Sequence, residues 1–304
     1  MNEPTVTGCV IESYGRRVVV SPAGGGEPRL CKLRGRKLDV VAGDQVRIEQ
    51  HEGADDWTVV ERLPRRNVLS RSDSRGMVES IAANLDQLGV VVAPLPACDP
   101  FIVDRYVAGA CYAEVAPLII VNKGDLPADA GDLSFMAPFE SLGLPVCFVS
   151  ARAGTGLPDL VALLNGKRTL LAGQSGVGKS SLLNALAGDA LRTTGRLSEK
   201  SGEGRHTTTS SAIFRLPWGE LADSPGVRDY APPVVAPADV QRGFPEVLAR
   251  AQGCRFQDCQ HVREPQCAVQ AAVAAGDIDG RRYESYRRLL NLNRQLVEKR
   301  GWRA

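Results

Sequence analysis

The sequence lacks the long apolar runs and the one-sided charge that would assign it to a membrane or to a polyanion. A membrane helix needs about 18 to 20 consecutive apolar residues, and the best run here, 88–98, is interrupted by Pro94 and Pro96. Lys and Arg number 37 against 35 Asp and Glu, a net charge of +2, so the balance alone indicates no partner. The first residues also lack the apolar region of a secretory signal. We therefore expect a cytoplasmic protein.

A disulfide framework is also missing from the sequence. Of the eight cysteines, five are scattered and three lie beside a histidine in the set Cys254, Cys259, His261 and Cys267. Such usage is typical of a reducing compartment and one metal site. Three thiolates and one imidazole fit a closed, four-coordinate structural zinc site, so we expect one Zn²⁺ per chain. The alternative is reduced core cysteines beside an unrelated histidine.

Three regions of the chain differ in their residue pattern. Residues 1–68 contain five short apolar runs between Gly and Pro turns, which predict a β-barrel, with an OB-fold favoured over an SH3-like barrel or a sandwich. Residues 69–231 alternate apolar strands with helices, which predicts an α/β domain with a mainly parallel sheet. Residues 232–304 follow a Pro-rich link and predict a mainly α-helical zinc-binding domain. Basic residues in 29–37 and 281–304 are candidate RNA contacts, with a solvated surface as the alternative.

The segment 173–180 reads GQSGVGKS and fits the P-loop pattern. Its glycines allow backbone N–H groups to surround phosphates, Lys179 places a positive charge on the β- and γ-phosphates, and the Ser180 hydroxyl can bind Mg²⁺. Asp223 begins the segment DSPG after an apolar stretch, so it is a candidate second Mg²⁺ ligand, with the Gly226 N–H for the γ-phosphate. The phosphate and magnesium contacts predicted from these two segments are Gly173, Gln174, Ser175, Gly176, Val177, Gly178, Lys179, Ser180, Ser181, Asp223 and Gly226.

A base-specificity motif, NKGD, occupies 122–125 directly after an apolar strand. The Asp125 carboxylate can accept from the amino and ring N–H groups of guanine, and it offers no donor to adenine. Asn122 can contact the opposite purine edge, and the Lys123 stem can cover the face of the base. Ser150 and Ala151 end the next strand and could brace the base. The alternative is an ordinary turn rich in Asn, Gly and Asp.

The order of these motifs is unusual. The chain runs NKGD, Ser150-Ala151-Arg152, P-loop, three threonines at 207–209 and then DSPG, which is a circular permutation of the order in the translation-factor-like GTPases that it resembles. With an N-terminal barrel and a C-terminal Cys/His cluster, the chain resembles the ribosome small-subunit-dependent GTPase A family. The segments that carry the resemblance are 83–86, 104–106, 122–126, 173–182, 204–209, 223–230 and 254–265. Gln266 departs from it, because the family typically has glycine there.

The resemblance implies a GTP hydrolase that binds the 30S ribosomal subunit and 16S rRNA, assists late subunit maturation and is stimulated by that particle. It also implies GTP or GDP, Mg²⁺ and Zn²⁺ as cofactors. We expect a monomeric chain with no membrane or DNA partner. Two other functions stay open: a P-loop kinase that phosphorylates a small molecule, and a non-enzymatic RNA-binding module with a degenerate nucleotide site.

The residue that orients the attacking water is not part of the motifs above. A Ras-type GTPase carries Gln directly after DxxG, whereas this chain carries Val227, which cannot bind water. The resemblance implies a group from elsewhere, and His206 is the best local candidate, with a surface histidine as the alternative. We prefer Thr208 among the three threonines as the switch ligand to Mg²⁺. The predicted catalytic residues are His206, Lys179 and Thr208.

Overall fold

The computed structural model describes residues 5–35, 38–50, 56–127, 129–188, 211–224 and 230–301. Within them, one eleven-stranded sheet runs from the N-terminal barrel into the central domain. The two parts are joined where the first strand of the barrel pairs with the strand 211–216, with Glu12 opposite Ala212 and Ser13 opposite Ser211. The barrel is therefore bonded directly to the central sheet.

The N-terminal part is a five-stranded barrel, as the apolar runs predict. Its strands follow the order β1-β2-β3-β5-β4, and β1 also pairs with β4 to close the barrel. The β3–β5 pair is parallel and the other pairs are antiparallel. This connectivity confirms the OB-fold, and Val10, Val20 and Ile48 are fully buried inside it. The strands are β1 (Thr5–Ser13), β2 (Arg17–Pro22), β3 (Arg29–Leu33), β4 (Gln45–Gln50) and β5 (Trp57–Arg62).

A hairpin that the sequence pattern does not predict connects the barrel to the central domain. Strands β6 (Val68–Ser72) and β7 (Val78–Ala83) form their own two-stranded sheet. Ser, Arg and Asp residues interrupt the apolar alternation here, so no strand signal stands out. The hairpin is held against the barrel through a bridge between Ala42 and Ala82.

The central domain has the predicted mainly parallel sheet covered by helices. Its strands lie in the order β10-β9-β8-β11-β13-β12, and every pair except β12–β13 is parallel. All six residues of β8 are buried, as expected for a strand covered on both faces. The strands are β8 (Gln87–Val92), β9 (Ala116–Val121), β10 (Val146–Phe148), β11 (Arg168–Ala172), β12 (Ser211–Leu216) and β13 (Gly219–Asp223). The helices are α1 (Pro100–Tyr112), α2 (Ala137–Ser141), α3 (Leu157–Leu164) and α4 (Lys179–Ala187).

The C-terminal part is mainly helical, as predicted. A 3₁₀ helix (Pro237–Gly243) precedes α5 (Pro245–Ala251), α6 (Ala268–Ala274) and α7 (Gly280–Arg300). Phe244, Tyr286 and Leu290 belong to its core, which also packs on Ala108 of α1. Arg282, one of the basic residues of α7, is only 1% exposed, so it is not available to RNA phosphates. None of the helices in the described part of the chain has the length and apolar character that a bilayer crossing requires.

Helix α1 packs closely on Tyr230. The rings of Tyr106 and Tyr230 stack with centroids 5.3 Å apart, and the Tyr230 hydroxyl donates to the Ser70 carbonyl oxygen over 2.9 Å. A Cβ at Gly109 would lie 2.1 Å from that hydroxyl. Glycine is therefore the only residue that fits at this point of α1.

We expect Gly109→Ala to lower the free energy of unfolding by about 1 to 3 kcal/mol, because the added methyl group overpacks the core. Gly280→Ala is the matched control: Gly280 also lies in a helix, but a Cβ there meets nothing within 4 Å. Urea unfolding followed by circular dichroism measures both. Equal midpoints for the two variants would contradict the packing argument.

Candidate nucleotide site and metal centre

The P-loop has the conformation that a phosphate cradle requires. Gly173, Gly176 and Gly178 take φ values of +143°, +84° and +92°, which L side chains rarely adopt. A Cβ at Gly173 would lie 2.3 Å from the Val91 carbonyl oxygen, and one at Gly178 would lie 2.4 Å from Asn122 Nδ2. The loop ends at the first turn of α4, whose free N–H groups suit an anion. The residues present therefore fit a bound phosphate chain.

The described residues among those predicted to contact phosphate and magnesium lie at the carboxyl edge of the sheet. Lys179 Nζ donates to the carbonyl oxygens of Gly173 and Gln174 over 2.5 and 2.7 Å. Ser180 is exposed in the first turn of α4. Asp223 ends β13 and lies opposite Leu171 of β11. Leu171 is two residues before Gly173, the first residue of the P-loop. His206, Thr208 and Gly226 lie outside the described residues.

Three sequence segments meet at the predicted base site. Asn122 Nδ2 donates to the Val177 carbonyl oxygen over 3.0 Å, and Asn122 Oδ1 accepts from the Ala151 N–H over 3.0 Å. Lys123 Nζ donates to the carbonyl oxygens of Gly176 and Leu95 over 2.7 and 2.8 Å. The motif 122–125 is thus bonded to the P-loop on one side and to the segment that begins at Ser150 on the other.

Asp125 is held as an ionised acceptor. Ser150 Oγ donates to Asp125 Oδ1 over 2.6 Å, and the same hydroxyl accepts from the Ala153 N–H over 2.9 Å. The Ser150 hydrogen bond, aided by the nearby Arg152 and Lys123 cations, lowers the pKa of Asp125 below its usual value. The side chain is exposed, so its carboxylate can accept the two N–H donors of a guanine edge.

Leu95 belongs to the site although no motif points to it. Its contribution is the backbone carbonyl oxygen that accepts from Lys123. Every residue type carries such an acceptor, so the sequence at this position does not indicate the contact. The neighbouring Pro96 ring lies 3.3 Å from where a Cβ of Gly176 would stand. The loop between β8 and α1 therefore covers one side of the P-loop.

Three of the distances within the Cys/His cluster match the edges of a tetrahedral zinc site. The four ligand atoms of Cys254, Cys259, His261 and Cys267 lie within 4.8 Å of one another. The Sγ atoms of Cys254 and Cys267 are 3.8 Å apart, and His261 Nδ1 lies 3.5 and 3.4 Å from them. Typical Zn–S and Zn–N bond lengths predict tetrahedral edges of about 3.8 Å between sulfurs and about 3.6 Å from sulfur to nitrogen. The residues present therefore fit zinc.

Two polar residues that the sequence does not single out support the cluster. His261 Nε2 lies 3.0 Å from Gln241 Oε1, so Nε2 carries the proton and Nδ1 is left free to bind a metal. Glu264 accepts from the N–H groups of Gln260, Val262 and Arg263 over 3.1, 2.7 and 2.9 Å. Burial alone would raise the pKa of Glu264, but these backbone donors lower it to about 2. An ionised Glu264 thus shapes the loop that carries His261.

Gln266 takes the backbone conformation that glycine would favour. Its φ is +58°, in the left-handed region, which costs an ordinary residue roughly 1 to 2 kcal/mol. The departure noted in the sequence therefore changes local strain and leaves the convergence of the four ligand atoms intact.

Comparisons with known proteins agree with this geometry. The sequence profile of the RsgA GTPase family matches residues 62–231. The small ribosomal subunit biogenesis GTPase RsgA of Azotobacter vinelandii is 41% identical over 294 residues, which are 94% of this chain and 85% of the relative. The protein of the same name from Pseudomonas fluorescens is 42% identical over the same shares.

Solved structures show the same architecture. The crystal structure of YjeQ from Thermotoga maritima superposes with a TM-score of 0.71 at 29% identity, covering 99% of this chain and all of that one. YloQ, described as a circularly permuted GTPase, superposes with a TM-score of 0.70 at 24% identity over 96% of both chains and supports the fold alone. Because the profile covers more than half of the chain and both sequence relatives cover nearly all of it, the chain belongs to the RsgA GTPase family.

Proposed function

We propose that this protein hydrolyses GTP and assists late maturation of the small ribosomal subunit, with its turnover stimulated by that particle. The observation that carries the proposal is the meeting of the P-loop, the 122–125 motif and the Ser150 segment at one sheet edge, with Asp125 held ionised. The names of the relatives, small ribosomal subunit biogenesis GTPases, support the partner. A cytoplasmic, monomeric chain is part of the proposal.

The proposed division of labour follows the regions 1–68, 69–231 and 232–304. The central region reads the nucleotide through Asn122, Lys123 and Asp125, with Ser150 and Ala151 as braces. The barrel and the C-terminal region would hold 16S rRNA, and Cys254, Cys259, His261 and Cys267 would hold one Zn²⁺. The proposed phosphate contacts are Gly173, Gln174, Ser175, Gly176, Val177, Gly178, Lys179, Ser180, Ser181 and Gly226.

The proposed hydrolysis depends on charge placed around the transferred phosphoryl group. Lys179 stabilises negative charge on the β- and γ-phosphates, and the first turn of α4 adds backbone donors. Ser180, Asp223 and Thr208 would hold Mg²⁺, which neutralises phosphate charge when it is bound. Because Val227 cannot bind water, we propose His206 as the group that orients the attacking water.

We expect His206→Ala to reduce subunit-stimulated GTP turnover by about a hundredfold or more, the usual contribution of a positioned acid or base, while the affinity for GDP stays unchanged. Phosphate release with and without small subunits measures the rate, and equilibrium titration measures the affinity. His51→Ala is the control, because His51 is the only other histidine outside the Cys/His cluster. Equal stimulated rates for the His206 variant and the parent would reject the role.

The experiment that tests the function measures phosphate release from GTP and from ATP, with and without purified small ribosomal subunits. We expect hydrolysis of GTP over ATP and a clear increase with subunits, both lost in Lys179→Ala. A phosphorylated product other than inorganic phosphate would favour the kinase alternative. No turnover even with subunits would favour a non-enzymatic RNA-binding module.

A further inference from the structure

Helix α1 begins at the nucleotide loops. The loop 93–99 before it provides the Leu95 carbonyl oxygen that accepts from Lys123 and the Pro96 ring that faces Gly176. The last residue of this loop, Asp99, caps α1 by accepting from the Phe101 N–H over 2.9 Å. The loop that leads into α1 therefore contacts both the P-loop and the base motif.

The side of α1 carries a buried ion cluster with the C-terminal region. Asp104 is 1% exposed, and its two carboxylate oxygens accept from Arg281 Nη1 over 2.7 Å and from Arg282 Nη1 over 2.6 Å. The Nε and Nη2 atoms of the Arg282 guanidinium donate to the two carboxylate oxygens of Glu246 in α5, over 2.8 and 3.1 Å. The attraction between buried charges offsets their loss of hydration only when the hydrogen-bond geometry is good. This cluster therefore holds α7 against α1 in one orientation.

The Arg282 guanidinium is also enclosed by aromatic rings from both regions. Its central carbon lies 5.1 Å from the ring centroid of Phe139 in α2 and 4.7 Å from that of Phe244 beside α5. Cation–π contacts of this kind strengthen when they are shielded from water. Arg282 therefore contacts the central and the C-terminal region through two independent types of interaction.

The same helix α7 holds the backbone of the Cys/His cluster. The Tyr283 hydroxyl donates to the His261 carbonyl oxygen over 2.6 Å, and the Tyr286 hydroxyl donates to that of Gln260 over 2.9 Å. Tyr283 directly follows Arg282 in the chain. The ligand His261 is thus linked to the ion cluster through a single turn of α7.

A second contact joins α1 to the cluster from the other side. The hydroxyl of Tyr112, the last residue of α1, donates to the Val240 carbonyl oxygen over 2.9 Å. The next residue, Gln241, contacts His261 Nε2. Both routes from His261 therefore end on the same helix, which in turn contacts the nucleotide loops.

We infer that the Cys/His cluster and the nucleotide site are energetically coupled through α1, with Asp104, Arg282 and Tyr112 as positioning residues. A metal held by the Cys/His cluster would order the backbone of Gln260 and His261, which α7 contacts through Tyr283 and Tyr286. The position of α7 would in turn determine that of α1 and of the loop that covers the P-loop. The inference rests on the proposed binding of zinc and guanine nucleotide. By linkage the coupling is reciprocal, so each ligand changes the affinity for the other by the same factor.

The test uses the full-length protein and two equilibrium measurements. Zinc affinity is measured by competition with a chelator of known affinity, with and without saturating GDP. GDP affinity is measured with zinc-loaded and zinc-stripped protein. We expect each ligand to increase the affinity for the other by about tenfold, with equal factors in the two directions. If both ligands bind but neither changes the affinity for the other, the inference is overturned and the proposed function stands. Failure of GDP to bind would overturn the proposed function as well.

The route is tested with Asp104→Asn, which keeps the side-chain shape and removes the charge. We expect its coupling factor to fall towards one while the zinc-loaded variant still binds GDP. Tyr112→Phe removes only the hydroxyl contact with Val240, so it tests the second route if the Asp104 variant does not fold, and we expect it to lower the factor too. Lys299→Met is the control, because Lys299 is an exposed residue near the end of α7. An equal loss of coupling in the control, or no loss in the two test variants, would overturn the assignment to α1.

Discussion

Asp125→Asn is expected to raise the dissociation constant for GDP by about a hundredfold or more, because hydrogen bonds to a charged group contribute about 1.5 to 3 kcal/mol each and guanine offers two donors to this carboxylate. An asparagine amide can accept one of them but places its own N–H group against the other. The same change makes the site complementary to xanthine, which carries a carbonyl oxygen in place of the guanine amino group. The variant should therefore prefer xanthosine diphosphate over GDP.

Calorimetric titration with GDP, xanthosine diphosphate and ADP measures this change of specificity. Asp132→Asn is the matched control, because Asp132 is also an exposed carboxylate and its hydrogen bond is with the Ser134 N–H near α2. We expect the control to bind GDP as the parent does. Unchanged discrimination against ADP and xanthosine diphosphate in Asp125→Asn would remove Asp125 from the base site.

Loss of zinc is expected to have the largest effect on stability. Structural zinc contributes an apparent stabilisation of about 10 to 16 kcal/mol to small metal-dependent domains at neutral pH, and three of the four ligands, Cys259, His261 and Cys267, are buried in the C-terminal region. Stripping the metal, or the substitution Cys267→Ser, should therefore unfold the C-terminal region at temperatures where the central domain is still folded. Scanning calorimetry and zinc analysis of the purified protein measure this effect.

Cys98→Ser is the control for the zinc experiment. Cys98 is half-buried in the loop before α1 and belongs to no metal-ligating group among the described residues. We expect this variant to retain one zinc per chain and its C-terminal transition. A chelated protein whose melting curve matches that of the untreated protein would show that the cluster does not hold a structural metal.

The strands of the barrel could be predicted because their signal is local. Short runs rich in Val, Ile and Leu lie between Gly and Pro turns, and β1 to β5 formed where these runs occur. The β6–β7 hairpin could not be predicted in the same way. Its residues gain their stability from packing against the barrel and α7, including a close approach of Gly76 to the Leu296 carbonyl oxygen, and such contacts leave no periodic pattern.

The basic residues of the last helix show the limit of charge counting. The sequence groups them as one candidate RNA surface, but Arg282 is buried between carboxylates and aromatic rings while Arg287 and Arg288 are exposed. The helical period identifies the faces of the helix, but it does not show which face meets Asp104 of α1. That choice depends on how two regions distant in the chain pack together.

The sequence by itself determined which chemical groups this protein offers: a phosphate-loop motif, a carboxylate proposed to select guanine and a zinc-type ligand set, because each depends on side chains at fixed short spacings. Only the tertiary structure decided how these parts are connected. The Leu95 carbonyl oxygen that accepts from Lys123, the Gln241 contact with His261 and the Arg282–Asp104 ion pair join residues far apart in the chain. Such contacts arise from the close approach of folded elements, so no local pattern of residues encodes them.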